Sequence, residues 1–139
     1  MIVVDTNLIG YLFLESNHSR LAEQALLKDA QWAAPLLWRS EFRNVLALYI
    51  HKRWLSLEES RRMMNEALSL MADREYDVDS WQVLRFVAGS TCSAYDCEFV
   101  ALAQELGTSL VTVDKQILSD FPNVAVSLAS FVGADRSEG

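Results

Sequence analysis

Cysteine, histidine and positive charge are all scarce in this chain, and each shortage removes a class of function. Cys92 and Cys97 are the only cysteines, and two thiols without two further ligands at suitable spacing do not make a zinc site, so a reduced pair is expected. His18 and His51 are the only histidines. Neither has another metal-type residue at helical spacing, and no serine, histidine and acid combination points to nucleophilic catalysis, so both are read as surface residues. Glycine-rich phosphate loops are absent. The net charge of −7 and a pI near 4.7 are the opposite of the broad basic footprint of a general nucleic-acid binder. The apolar start Met1-Ile2-Val3-Val4 is stopped at once by Asp5 and carries no basic leader, so neither a signal peptide nor a membrane span fits and a cytoplasmic location is expected.

What the chain does have is an ordinary globular composition. Its 139 residues, 51% hydrophobic and 22% charged, suffice for one domain with a substantial core. A single domain is expected over residues 1–132, with a flexible C-terminal tail at 133–139. The runs Ile2-Val3-Val4 and Ser109-Leu110-Val111-Thr112-Val113 each end at an aspartate and read as buried strands of a parallel sheet. Weaker strand candidates are 31–34, 75–78 and 124–128, with Pro122-Asn123 as the turn before the last. Between them the period becomes helical, after Ser19, from Leu37 to Ile50, and after Ser56, where Glu59 completes a capping box. Further helices run from Trp81 to Ala88, ended by Gly89, and from Ala94 to Leu106, ended by Gly107. Alternating strands and helices predict an α/β fold with a central, mostly parallel sheet of four to five strands flanked by helices.

Four acids, Asp5, Glu41, Asp96 and Asp114, each interrupt a hydrophobic segment. Asp5 and Asp114 follow their strands directly, at the carboxyl edge of a parallel sheet, where ligands bind in open α/β folds. Each could instead cap the helix that follows. Glu41 has Leu37, Val45 and Leu48 at helical spacing, which places it in an apolar stripe, while Arg39 and Arg43 lie on other faces; a salt bridge to a distant arginine is the alternative. Asp96 is the N3 residue of the capping pattern Ser93-Ala94-Tyr95-Asp96, with Cys92 and Cys97 at the hydrophobic-staple positions, a structural role that does not exclude an inward-facing carboxylate. Converging carboxylates repel until some protonate or a cation joins them, and a hard divalent ion such as Mg²⁺ takes oxygen ligands.

The stretches Ile2-Val3-Val4-Asp5-Thr6-Asn7, Ala34-Pro35-Leu36-Leu37-Trp38-Arg39-Ser40-Glu41 with Asn44, Ser93-Ala94-Tyr95-Asp96 leading to Gly107, and Leu110-Val111-Thr112-Val113-Asp114 together resemble the PIN-domain nucleases, especially the compact toxin branch called VapC-type. Their order and spacing cover nearly the whole chain. The resemblance implies a three-layer fold, a Mg²⁺ or Mn²⁺ site and hydrolysis of RNA phosphodiester bonds. It implies that Asp5, Glu41, Asp96 and Asp114 take the family's acidic positions and that Thr6, Asn7, Ser93 and Thr112 take its supporting polar positions. It further implies a homodimer and, for the toxin branch, an antitoxin whose peptide occupies the active-site groove. After Asp114 comes Lys115-Gln116-Ile117-Leu118, without the additional acid some relatives carry nearby, which argues against a second firmly held metal.

Lys52-Arg53 with Arg61 and Arg62 could hold an RNA backbone or form a solvated corner between helices. The run Gly10 to Leu14 with Trp38, Trp54 and Trp81 offers more large apolar surface than a small core needs. Two other classes stay open: a non-catalytic interaction module on the same fold, and a phospho-acceptor receiver domain, in which Glu41 would have no role.

Overall fold

The two all-apolar strand triplets form the centre of a five-stranded sheet because side chains on both of their faces are buried. The computed structural model describes residues 1–134. In chain order the elements are β1 (Ile2–Val4), α1 (Thr6–Phe13), α2 (Ser19–Lys28), β2 (Trp32–Pro35), α3 (Leu37–His51), α4 (Leu57–Met71), β3 (Glu75–Tyr76), α5 (Ser80–Ala88), α6 (Ala94–Leu106), β4 (Leu110–Thr112), α7 (Lys115–Asp120), β5 (Ala125–Ser127) and α8 (Leu128–Val132). The sheet order is β3-β2-β1-β4-β5 and every paired neighbour is parallel. The expected mostly parallel sheet with flanking helices is therefore what forms, with five strands.

The order of the strands matters more than their number. From β1 the chain steps outward to β2 and β3, then returns to the other side of β1 for β4 and β5. Right-handed crossovers in the two directions place α1 to α4 on one face and α5 to α7 on the other. Helix α8 packs on α2 and completes the first face; Lys28 lies 4.5 Å from the centre of the Phe131 ring and donates to the Phe131 carbonyl. The direction changes between β1 and β4, and the carboxyl ends of strands at such a switch point splay apart to leave a crevice.

Three helices and some boundaries differ from the sequence reading. Asp5 caps a full helix, α1; Asp114 caps the six-residue α7; and the run expected as strand 124–128 stops at Ser127, which caps α8. Strand β3 keeps only Glu75–Tyr76 of the expected 75–78. On α3 the buried face is Trp38, Phe42 and Leu46. Glu41 flanks that face instead of lying in its middle, and Leu48, expected on the same stripe, is 51% exposed. Trp38 is wholly buried, whereas Trp54 and Trp81 are 61% and 67% exposed. Gly107 ends α6 in the left-handed region at φ 65°, as a helix-terminating glycine does. The two cysteines are free and buried, and both histidines are exposed. Of the expected tail, 135–139 lies outside the described residues.

Candidate functional site

Each of the candidate acids is delivered to the carboxyl edge of the sheet by a different element. Asp5 stands at the junction of β1 and α1 and uses both oxygens: Oδ1 accepts from the Asn7 backbone N–H at 3.3 Å as the helix cap, and Oδ2 accepts from the Thr112 hydroxyl at 2.8 Å. Thr112 ends β4, is fully buried, and its Oγ1 in turn accepts from the Asp114 backbone N–H at 3.0 Å. One threonine thus links the acids that follow the two strands flanking the switch point. Asp114 caps α7 through Oδ1, which accepts from the N–H groups of Gln116 and Ile117 at 2.9 and 3.0 Å. Capping and a place at the sheet edge are therefore both true of Asp5 and Asp114.

Glu41 arrives from the flank of α3, where Oε1 accepts from the Thr6 hydroxyl at 2.8 Å. Its sequence neighbours do not neutralise it. Arg39 instead makes a two-point pair with Glu75, at 2.6 Å from each carboxylate oxygen, and Arg43 donates to Ser40. Asp96 comes from the first turn of α6, where the Ser93 hydroxyl accepts from the Asp96 backbone N–H at 3.1 Å. Of the polar residues expected to support the site, Thr6, Ser93 and Thr112 each bond one of the acids or its backbone, and Asn7 does so through its own N–H.

The electrostatics show which of these acids feel one another. Burial pushes the Asp5 carboxyl above its ordinary value; Thr112 and the Asn7 N–H oppose that, and the charges of Asp96 and Asp114 add to it. Glu41 is raised first by burial, then by Asp5, Asp96 and Glu98, against the bond from Thr6. Asp96 is raised by burial and next by Asp114, with Ser93 opposing. The influences acting on these three groups are burial, hydrogen bonds and other carboxylates, and among the described residues none of the ion pairs includes any of them. Asp5, Glu41, Asp96 and Asp114 are thus brought into one electrostatic neighbourhood. Among the described residues no three histidine, cysteine, aspartate or glutamate side chains are grouped closely enough to hold a metal ion as they stand.

Two neighbours of the site were not singled out in the sequence. Glu98, one helical step past Asp96 on α6, is raised by burial and acts on Glu41; it also lines a groove of about 490 Å³ with Leu36, Tyr76, Val78 and Leu84. Tyr11, on α1, is raised by burial and by Asp5. Glu98 could have been found as an acid on the same helix as Asp96, but a residue two positions away points elsewhere on an ideal helix, which is why spacing did not suggest it.

The PIN domain family matches residues 2–125. The chain is 29% identical over 127 residues to Ribonuclease VapC3 of Pyrobaculum aerophilum, covering 87% of this chain and 95% of that one. Among solved structures, a protein from Pyrobaculum aerophilum superposes with a TM-score of 0.70 at 19% identity, covering 98% of this chain and 96% of that chain. A toxin-antitoxin complex from Klebsiella pneumoniae gives 0.69 at 20% identity, covering 92% and 98%.

Proposed function

The chain belongs to the PIN domain family, and on that premise we propose that it is a divalent-metal-dependent ribonuclease that hydrolyses RNA phosphodiester bonds as the toxin of a type II toxin-antitoxin pair. The observation that carries this reading is the mutual influence of Asp5, Glu41, Asp96 and Asp114 at the switch point of the sheet, where burial and like charge raise proton affinity and no basic side chain relieves them. The named relative, Ribonuclease VapC3, supports the nuclease activity, and the Klebsiella complex supports an antitoxin partner.

In this proposal Asp5, Glu41, Asp96 and Asp114 hold Mg²⁺ or Mn²⁺. The donor set fits such an ion in kind, since it offers carboxylate oxygens only and a hard cation removes the repulsion among them. A bound divalent ion supplies an activated water and stabilises charge developing on the phosphate and leaving oxygen. The chain's own contribution is orientation. Thr112 fixes Oδ2 of Asp5, Thr6 fixes Oε1 of Glu41, Ser93 sets the start of α6 and thereby Asp96, and α7 anchors Asp114 through one oxygen only. Such outer-shell bonds hold ligands in place and tune their basicity. A cytoplasmic homodimer is part of the same proposal; among the described residues no helix is long and apolar enough to cross a membrane.

The test is cleavage of RNA by the purified protein with Mg²⁺ or Mn²⁺, loss of cleavage with chelator, and loss in Asp5→Asn or Asp96→Asn proteins that remain folded. Full activity in the Asp5→Asn, Asp96→Asn double variant rejects the mechanism. The exposed Trp54 and Trp81 and the charge of −7 favour one alternative, a non-catalytic interaction module. That reading predicts a folded protein that binds no Mn²⁺ at millimolar concentration.

A further inference from the structure

A hydrogen-bond clamp made by residues outside the acidic set joins the two segments that deliver Asp96 and Asp114. Asp120, at the end of α7, receives three donors on Oδ2: the Thr91 N–H at 2.7 Å, the Thr91 hydroxyl at 2.6 Å and the Cys92 thiol at 3.5 Å. Gln116, one turn earlier, donates Nε2 to the Thr91 carbonyl at 2.6 Å and approaches the Thr91 hydroxyl at 2.9 Å. On the other side of the linker the Ser90 hydroxyl donates to the Phe86 carbonyl at 2.7 Å and accepts from the Cys92 N–H at 3.2 Å. The Phe86 ring then stands edge-on to Phe121 at 5.6 Å, which ties α5 to the end of α7. The chain from Phe86 to Cys92 is thereby fixed to α7 immediately before α6 begins.

We propose that Asp120 is a positioning residue for the metal site: by clamping Thr91 it holds the start of α6 against α7 and so sets the separation of Asp96 and Asp114. The inference rests on the assignment of those acids as metal ligands. Only Ser93, Ala94 and Tyr95 lie between Cys92 and Asp96, and Gln116 is two residues past Asp114, so both arms of the clamp are short. Asp96 and Asp114 repel each other, and α7 has only six residues, too few to be self-supporting. Without the clamp, repulsion drives the two helix starts apart, and a cation then has to recover that separation on binding. The three donors converge on one carboxylate oxygen, which makes charge-assisted bonds across 29 residues of sequence. The Cys92 thiol, pushed up to about 12 by burial and by Asp120, stays protonated and serves as a donor.

The experiment is calorimetric titration of Mn²⁺ into the full chain, wild type against Asp120→Ala and Asp120→Asn. Asp120→Ala is expected to bind Mn²⁺ about tenfold more weakly, the lower end of the range for outer-shell changes. Asp120→Asn keeps an acceptor oxygen and recovers most of the affinity, which separates the geometry of the clamp from its charge. RNA cleavage supplies a second readout: in Asp120→Ala, saturating Mn²⁺ restores kcat to the wild-type value, a rescue that mere destabilisation does not show. Should Asp120→Ala fail to fold, the Thr91→Val, Gln116→Ala double variant removes the hydroxyl and amide contacts and takes its place with the same expectation. Wild-type Mn²⁺ affinity in whichever of these variants is folded overturns the clamp. Absence of Mn²⁺ binding in the wild type overturns the assignment of the site itself.

Discussion

Asp5 shows how a single side chain serves stability and function through different atoms. Its Oδ1 caps α1 while its Oδ2 takes the Thr112 hydroxyl, so helix capping does not compete with a place in the site. The two roles respond differently to substitution. Asp5→Asn keeps an acceptor for the cap but removes a charge that burial and two neighbouring aspartates disfavour. The variant is therefore expected to melt at or above the wild-type temperature without metal while losing RNA cleavage by roughly 100-fold, the scale of a disrupted metal site. Differential scanning calorimetry and a cleavage assay on one preparation check both parts. Thr112→Val leaves Asp5 Oδ2 and the Asp114 N–H without their buried partner. It is expected to cost about 1–3 kcal/mol, the penalty for orphaned buried groups, as read from urea unfolding.

At the scale of elements, the short edge strand β3 is held by side chains as much as by its ladder. Both carboxylate oxygens of Glu75 are engaged by α3: the Trp38 indole N–H donates at 2.7 Å and the Arg39 guanidinium makes a two-point contact. Arg39 and then Trp38 hold the Glu75 carboxyl below its ordinary 4.5. A carboxyl whose folded-state value is depressed contributes stability that is present above its unfolded value and is lost as pH falls through the folded one. Glu75→Gln is expected to cost about 1–2 kcal/mol near neutral pH, discounted because Arg39 is partly exposed. The difference from wild type should shrink below pH 4.5, which urea unfolding against pH measures. This pairing also explains what the sequence disclosed. Strands β1 and β4 were legible because burial on both faces writes an unbroken apolar run, and α3, α4 and α6 because their caps and periods are long. Helices α1 and α7 were not assigned because each begins one residue after a strand-ending aspartate. Helix α8 was hidden because Leu128 extends the apolar pattern of β5 past the Ser127 cap. The candidate acids were visible as charges interrupting apolar segments. Asp120 and its clamp were not, since its partner is 29 residues away and nothing local marks either residue.

For the whole molecule, the concentration of like charge at one edge of the sheet couples pH to cation binding. Asp5, Glu41, Asp96 and Glu98 all have folded-state proton affinities above their ordinary values, with burial the first cause in each. A carboxyl of this kind makes the folded state take up protons, so its contribution to stability improves as pH falls through the raised value and levels off below the unfolded one. Groups such as Glu75 act in the opposite direction, so the signature of the site is the difference between wild type and Asp5→Asn across the acid range. Protons and metal compete for the same oxygens. Saturating Mn²⁺ is accordingly expected to raise the melting temperature more at pH 7.5 than at pH 5.5, and thermal scans at both values decide this. The most direct measurement is an anomalous map from a crystal soaked in Mn²⁺. The account predicts a peak ligated by carboxylate oxygens of Asp5 and Asp96, with Glu41 and Asp114 beside it. A crystal at saturating Mn²⁺ with no peak among these four residues, or with the ion bound elsewhere, contradicts it.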